Sequence, residues 1–369
     1  MGEMTKKRSL NTFLLCFFSF FLTIACYQSW IFHMKELSST WSLELLSSTT
    51  SYLFQALGVI IYMLFAYYVP DLTGSKLFIT SVYAVLSLSL IPSMFSSTLT
   101  GTYFNGFIMN ILVGAIWGMN LYGITFSTKT NLRFFVLGGG YVLAALSVFF
   151  TTLVKDNFLT NTPFAFVLYV IVAMICSVFG ILSTGNVNPS IAVIKELTDL
   201  RRTELKEMKK AKMKRIYMPA SSAAGVAFPI FTVFLLSMIL HFGNNFLAPG
   251  EGFLQILGIS RGAVPPLVLA NIFFFFFGLL TIGRGLWFAK LSDWTGRVTI
   301  YAFGFLFGRL GDAAGTGIWM LFRNKLLYIR LILAGSVFLI ILFLIVYFMI
   351  KKGKNAPKIK ESLDKEEVK

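Results

Sequence analysis

Charged residues are scarce in this chain: Asp, Glu, Lys and Arg make up 13% of its 369 residues, about half their share of an ordinary soluble domain. Cysteine and histidine are scarcer still, with three and two residues. Cys16, Cys26 and Cys176 lie inside apolar runs, at spacings that form neither a disulfide framework nor a metal motif. So few histidines also exclude a histidine-rich metal site. We therefore expect the chain to bind no metal.

The sequence signatures of catalysis are missing as well. The chain contains no Walker-type phosphate loop, no nucleophile elbow and no pair of neighbouring carboxylates suited to acid–base chemistry. Each of these motifs brings together the groups that bind a phosphate, activate a nucleophile or transfer a proton. Nothing in the sequence therefore supports an enzyme, and we expect no catalytic residues and no cofactor.

The chain does contain apolar runs of membrane-spanning length, which follow one another from Leu10 to Ile350. A hydrocarbon core about 30 Å thick requires about 20 apolar residues per helix. Only helices and closed barrels satisfy their backbone hydrogen bonds in that core. The runs are unbroken rather than alternating, which excludes a barrel. The sequence therefore predicts an all-α fold, a polytopic helical membrane protein.

Ten transmembrane helices are predicted, six in the first half of the chain and four in the second. Their ranges are 10–33, 51–69, 77–96, 104–126, 134–154, 164–184, 220–242, 264–284, 299–322 and 328–350. The first run is longer than the core of a signal peptide, so we expect it to remain as an uncleaved helix. The ninth, 299–322, is the weakest of the ten, because it leaves Arg323 and Lys325 on the outer side, against the usual charge bias.

The net charge of +16 lies mostly between and beyond these runs. We divide the chain into a six-helix half (1–184), a basic linker helix (185–218), a second half (219–350) and a basic tail (351–369). The positive-inside rule places the linker and both termini in the cytoplasm. A linker lying against anionic lipid explains its charge, and a regulatory partner site is the alternative. Nucleic acid is not an expected partner, and a bacterial cytoplasmic membrane is the expected location.

Two short segments between apolar runs share the pattern Asp-x-x-Gly-(x)-basic. They comprise Asp71, Gly74 and Lys76 in the first half, and Asp293, Gly296 and Arg297 in the second. The glycine allows two helices to approach, the aspartate accepts from helix N-terminal N–H groups, and the basic residue pairs across the seam. The pattern predicts a cytoplasmic gate at both places. Ordinary turn chemistry beside membrane helices is the alternative.

These segments resemble the loop between helices two and three of major facilitator superfamily transporters. A six-helix half, a charged linker and a second helical half resemble that family as well. The resemblance implies a secondary transporter that works by alternating access. Twelve helices are usual in the family, so a chain of ten lacks about one helical hairpin in its second half.

A second, weaker resemblance lies in the sequence from Gly308 to Gly315. Preceded by Gly296-Arg297, it resembles the segment before the last helices of ATP/ADP translocase-type nucleotide transporters. That family usually has a lysine at the position of Asp312. This resemblance implies a nucleotide as the transported solute.

Arg309 and Asp312 are the strongest single candidates for a functional site. If 299–322 crosses the bilayer, both lie near its centre, where a charge costs at least about 2.5–3.5 kcal/mol. Their i, i+3 spacing places them on one helix face, where they can pair. Four glycines on the same helix allow a neighbouring helix to approach closely: Gly304, Gly308, Gly311 and Gly315. The pair is predicted to form a binding or coupling site, with helix packing as the alternative.

Other polar residues inside the runs complete the candidate solute or coupling site. They are Gln28, His33, Asn110, Asn120 and His241. The two histidines lie near helix ends, which suits interfacial side chains or proton coupling. Asn110 and Asn120 suit interhelical hydrogen bonds or the lining of a polar cavity.

The sequence thus predicts a secondary transporter for a small polar or anionic solute, with a proton or cation as a candidate coupling ion. The rival hypothesis is a membrane sensor or scaffold that retains a shortened transporter fold without transporting. A continuous central cavity favours transport, and a bundle filled with phenylalanine side chains favours the rival.

Overall fold

The computed structural model describes residues 2–37, 41–73, 75–128, 132–152, 161–184, 223–247, 266–295 and 298–322, with parts of 325–345. Within these ranges the regular structure is helical and includes no β-strand, so the predicted all-α class is confirmed. The basic linker and the C-terminal tail lie outside the described residues.

The described residues between Gly2 and Phe322 form ten α-helices. They are α1 (Gly2–Leu37), α2 (Trp41–Tyr68), α3 (Pro70–Thr73), α4 (Lys76–Phe95), α5 (Leu99–Ser127), α6 (Gly140–Thr152), α7 (Thr162–Thr184), α8 (Ala223–Leu247), α9 (Pro266–Thr295) and α10 (Phe303–Phe322). A π-helical turn, Phe135–Gly139, precedes α6, and a 3₁₀ turn, Val298–Ala302, precedes α10. Further helical residues occur at 327–328, 331–332, 334–342 and 344–345.

Five of the described helices are long and apolar enough to cross a membrane. The apolar stretches are Leu10–Met34, Leu46–Tyr68, Lys76–Phe95, Leu99–Thr125 and Thr162–Ser183. Two shorter apolar stretches are Phe135–Thr151 and Val226–Phe242. These helices are compatible with an integral membrane protein. The arrangement of ten spans as six plus four stays a prediction.

The two largest departures from the predicted helix boundaries are explained by local chemistry. The second helix begins at Trp41 rather than residue 51, because its hydroxyl side chains bond back to their own helix: Thr50 Oγ1 donates to the carbonyl of Leu46 at 2.8 Å. The eighth predicted helix ends at Thr295 rather than residue 284. Arg284 does not end it, because its charge has partners on two neighbouring helices.

The first half of the chain is organised around α1. This helix packs against α4, α5, α6 and α7, and buried hydroxyl pairs fix its position. Ser19 and Tyr83 hydroxyls lie 2.6 Å apart, and the hydroxyls of Ser29 and Tyr169 are separated by the same distance. Such bonds between apolar helices specify which neighbour each helix meets.

The two halves meet where α10 packs against α2 and near α5, and we call this contact the junction. An aromatic stack runs through it. The ring of Trp117 on α5 lies 4.4 Å from that of Phe20 on α1 and 4.5 Å from that of Phe305 on α10. All three side chains are almost completely buried. The stack therefore joins both halves of the chain at the level of the charged residues on α10.

Candidate functional site

Glycine determines how close α10 comes to its neighbours. A Cβ atom at Gly311 or Gly315 would overlap a backbone carbonyl oxygen of α8, that of Phe234 or of Met238. One at Gly304 would overlap the carbonyl oxygen of Arg284 on α9. The predicted close approach on the glycine face is therefore confirmed, and both α8 and α9 lie against it. This packing brings side chains of three helices to one point.

That point is a buried charged cluster centred on Asp312, whose side chain has no exposed surface. Arg309 Nη1 donates to Asp312 Oδ2 at 3.0 Å, so the predicted i, i+3 pair forms. His241 Nδ1 on α8 lies 3.0 Å from Oδ1 of the same carboxylate. Arg284 Nη1 on α9 lies 3.8 Å from Oδ2. One carboxylate thus lies within 4 Å of two arginines and a histidine. We call Asp312, Arg309, Arg284 and His241 the charged cluster.

The charged cluster has more positive than negative charge. Arg284 is 1% exposed and Arg309 8% exposed, and Asp312 is the one carboxylate within ion-pair distance of either among the described residues. With His241 neutral, the formal charges sum to one surplus positive charge, and protonation of the imidazole adds another. Removing an ion from water costs several kcal/mol unless partners replace the lost hydration. A second anion would therefore find a ready complement here.

Aromatic rings enclose the cluster on several sides. The guanidinium carbon of Arg309 lies 4.7 Å from the ring centre of Phe305 and 5.2 Å from that of Tyr52, distances typical of cation–π contacts. The imidazole of His241 meets the ring of Tyr52 edge-on at 5.1 Å. Tyr52 belongs to α2, so the first half of the chain contributes directly to the surroundings of the cluster.

Several guanidinium nitrogens of the cluster have no hydrogen-bond partner among the described residues. Nη1 of Arg284 donates to Ser237 Oγ at 3.2 Å, but its Nε and Nη2 are buried without an acceptor. The same holds for Nε of Arg309. Buried donors are nearly always satisfied in native proteins, and each one left without an acceptor costs about 1–3 kcal/mol. These nitrogens are therefore candidate ligand contacts.

The polar residues of the first half divide into two groups. The amide of Asn110 is used inside the bundle, accepting from Gln55 Nε2 at 2.9 Å and donating to the carbonyl of Gly106 at 2.8 Å. Asn120 is 2% exposed, and both atoms of its amide lack a partner in the described part of the chain. Asn120 lies one turn from Trp117 on α5, which places it on the side facing the junction. Gln28 is half-buried in α1.

The two histidines occupy different environments. His33 Nε2 lies 2.9 Å from the carbonyl oxygen of Ser96, just after α4, and its Nδ1 lies 3.6 Å from the exposed carboxylate of Glu36. It therefore connects helix ends, as expected of an interfacial histidine. His241 is 3% exposed and belongs to the charged cluster, so the helix-end interpretation does not apply to it.

The two predicted gate segments are described only in part. Asp71 lies in the short helix α3, and Lys76 begins α4, whose N-cap is Ser75. Asp293 lies in the last turn of α9, so it is part of a helix and not of the predicted turn. Gly74, Gly296 and Arg297 lie outside the described residues, as do the side chains of both aspartates. The gate stays a prediction.

Sequence reasoning missed Arg284, Ser237 and Tyr52. Arg284 is the last residue of the predicted helix 264–284, where a basic residue is common. The signal that could have identified it is the apolar sequence that continues beyond it through Leu286-Trp287-Phe288. Ser237 and Tyr52 have no such signal, because a serine or tyrosine in an apolar helix is ordinary.

Chemically, the cluster suits the binding of an anion better than the binding of a metal. Among the described residues, no group of three or more His, Cys, Asp or Glu side chains lies close enough together to hold a metal ion. The cluster instead offers guanidinium donors, which match carboxylate and phosphate oxygens. No protein-family model and no curated protein sequence matches this chain, so the assignment depends on the geometry of the cluster.

Asn120→Leu is expected to stabilise the protein, and Asn110→Leu to destabilise it. Leucine removes the cost of a buried amide without partners, which raises the free energy of unfolding by about 1–3 kcal/mol. At position 110 the same change leaves the amide of Gln55 buried and unpaired, at a similar cost of about 1–3 kcal/mol. Chemical denaturation of both variants in detergent measures the difference. Equal destabilisation by the two changes would show that Asn120 has partners.

Proposed function

We propose that this protein is a secondary transporter that moves a small anionic solute across a membrane by alternating access. The observation that carries the proposal is the charged cluster, in which Arg284 and Arg309 are buried beside Asp312, the one carboxylate near them among the described residues. Their unpartnered nitrogens and the surplus positive charge support an anion as the ligand. This narrows the predicted solute class, polar or anionic, to anionic.

The energetics of buried charge support the proposal. Replacing buried charged side chains by apolar ones of similar volume often leaves the free energy of unfolding unchanged or raises it. Packing alone therefore gives no reason for a second arginine in the cluster. Within the described part of the chain, the two arginines and Asp312 instead leave one positive charge uncompensated and several N–H donors without acceptors. A ligand anion removes both costs when it binds, and water removes them when the cluster is open to solvent. A transporter of anions requires a site that binds the anion in one state and is open to water in the other.

The position of the cluster also supports transport. Arg284, Arg309, Asp312 and His241 belong to the second half of the chain, whereas Tyr52 belongs to the first. Alternating access requires the two halves to separate first on one face of the membrane and then on the other, around a fixed site. In that cycle Asp71 and Asp293 act at the cytoplasmic gate, and both termini lie in the cytoplasm. His241, beside Asp312, is the candidate for a coupling proton.

The test is a ligand panel read out on the purified protein in detergent. The thermal midpoint is measured with carboxylates, phosphates, nucleotides, sugars and amino acids, and in parallel for Arg309→Gln. A ligand at 100 times its dissociation constant adds about 2.7 kcal/mol to the free energy of unfolding. We expect stabilisation by one class of anion and by no neutral sugar, and loss of that effect in the variant. Because phosphate and sulfate stabilise many proteins by exclusion from their surface, the difference between native protein and variant is the measure.

The sensor or scaffold hypothesis has its own supporting observation, the aromatic stack of Phe20, Trp117 and Phe305 that fills the junction. A permanently filled junction would not open. If no anion stabilises a protein that unfolds cooperatively, the transport proposal fails and the rival is preferred. Stabilisation by an anion, followed by uptake of that anion into proteoliposomes, would exclude a purely structural role.

A further inference from the structure

We infer that Arg284 binds the ligand side-on, through Nε and Nη2, and that the ligand is an anion with two oxygens held a fixed distance apart. The inference rests on the proposed function and specifies the chemical group that the site recognises. Carboxylates, phosphates and sulfates have such oxygen pairs. Spherical anions such as chloride do not.

The geometry of the guanidinium supports this assignment. In arginine the N–H of Nε and one N–H of Nη2 point in parallel, at the spacing of two oxygens of a carboxylate or phosphate. These are the two nitrogens of Arg284 that are buried without a partner among the described residues. The remaining nitrogen, Nη1, is occupied by Ser237 and lies 3.8 Å from Asp312. The complete bidentate edge therefore has no acceptor in the described part of the chain, where the polar contacts of Arg284 involve Nη1.

The surroundings hold this guanidinium in place. A Cβ atom at Gly308 would overlap Nη1 of Arg284 and lie 2.6 Å from its central carbon, so the arginine passes directly over the backbone of α10 at a position that only glycine permits. The ring of Phe305 lies 5.2 Å from the guanidinium carbon. With Ser237 fixing Nη1, the group has little freedom to turn its open edge towards other acceptors. A guanidinium edge held in one orientation discriminates between anions by shape as well as by charge.

Arg309 has a different role in this arrangement. Its Nη1 is bonded to Asp312, and its guanidinium lies between the rings of Phe305 and Tyr52. Of its three nitrogens, only Nε is buried without a partner in the described part of the chain. Arg309 is therefore expected to supply charge and one hydrogen bond, while Arg284 supplies the recognition of paired oxygens.

The experiment compares Arg284→Lys with Arg284→Gln. The lysine keeps the positive charge but lacks the parallel N–H groups of Nε and Nη2, and the glutamine lacks both the charge and these groups. Binding of inorganic phosphate, succinate and chloride to the full-length protein in detergent is measured by isothermal titration calorimetry. Losing one charge-assisted hydrogen bond corresponds to a dissociation constant about tenfold weaker. We expect Arg284→Lys to weaken phosphate or succinate binding about tenfold, and Arg284→Gln to abolish it. Chloride should bind weakly to all three proteins.

Two further variants make the result specific. Arg133→Lys changes another buried arginine, which donates to the carbonyls of Thr125 and Thr128 at the end of α5, so it should alter stability without altering affinity. Gly308→Ala leaves Arg284 intact but displaces its guanidinium, and should weaken binding as Arg284→Lys does. It also provides the test if Arg284→Lys fails to fold.

Each outcome is decisive. If Arg284→Lys and Gly308→Ala bind phosphate and succinate as the native protein does, while Arg284→Gln does not, charge alone matters and the inference is overturned, although the proposed function stands. If the native protein binds neither phosphate nor succinate, nor any other anion of the ligand panel, the proposed function fails and the inference with it. A lipid phosphate offers the same oxygen pair as a soluble one. Stabilisation by phosphatidylglycerol in nanodiscs, lost in Arg284→Lys, would support the inference and identify a lipid headgroup as the source.

Discussion

Asp312→Ala should lower the free energy of unfolding by about 3–5 kcal/mol, the usual cost of removing one partner from a buried ion pair. The carboxylate lies 3.0 Å from both Arg309 and His241 and 3.8 Å from Arg284. Without it, two buried guanidiniums face each other with no negative charge between them. Chemical denaturation in detergent, in buffer without small oxyanions, measures the loss.

Formate should restore much of this loss in Asp312→Ala, because it supplies a carboxylate of the size that the substitution removes. The stabilisation should rise with formate concentration and be much smaller for the native protein. Glu36→Gln is the matched control. Glu36 is exposed and lies 3.6 Å from His33, so its removal should change stability by less than about 1 kcal/mol. If Asp312→Ala is no more harmful than Glu36→Gln, the arginines are solvated or paired elsewhere, and the surplus-charge argument fails.

The fold class could be predicted from sequence because it depends on a one-dimensional quantity. A run of apolar residues such as 77–96 or 164–184 is long enough to cross a bilayer wherever its neighbours lie, and helices Lys76–Phe95 and Thr162–Thr184 occupy those ranges within two residues. The predicted helix boundaries are wrong where polar residues, which the composition excludes from an apolar run, still belong to the helix. The hydroxyl groups of Thr50 and Ser51 bond back to helix carbonyls at positions 46 and 48, and this backbone bonding cannot be inferred from their polarity.

The charged cluster could be predicted only where its members are neighbours on one helix. Arg309 and Asp312 pair at i, i+3, a relation that the sequence displays. Arg284 and His241 reach the same carboxylate from other helices, through contacts that depend on how α8 and α9 pack on the glycine face. Such contacts join residues 71 and 28 positions away in the chain, and no periodicity encodes them. Glycine at 308 is visible in the sequence, but the guanidinium that requires it is not.

If the protein is the transporter proposed above, cross-linking α2 to α10 should abolish transport, because the proposed alternating access requires these two helices to move apart. A Cβ atom at Gly317 on α10 lies 3.5 Å from Cγ2 of Thr49 on α2, so side chains at the two positions are in van der Waals contact and two cysteines there are near enough to form a disulfide. In Thr49→Cys/Gly317→Cys, oxidation should reduce uptake of the stabilising anion into proteoliposomes to the level of protein-free vesicles. Reduction should restore it. The native cysteines are buried, with free thiols.

A second double variant separates the effect of a disulfide from the effect of joining the halves. In Ile79→Cys/Gly180→Cys both cysteines lie in the first half, where a Cβ atom at Gly180 comes within 2.7 Å of Cγ2 of Ile79. Its oxidation should leave uptake unchanged, because α4 and α7 pack against each other within the first half and the proposed cycle does not separate them. Transport that survives the cross-link at 49 and 317 would mean that the junction stays closed during the cycle. The charged cluster would then lie in a static core, and its surplus charge would need an anion that binds without being carried.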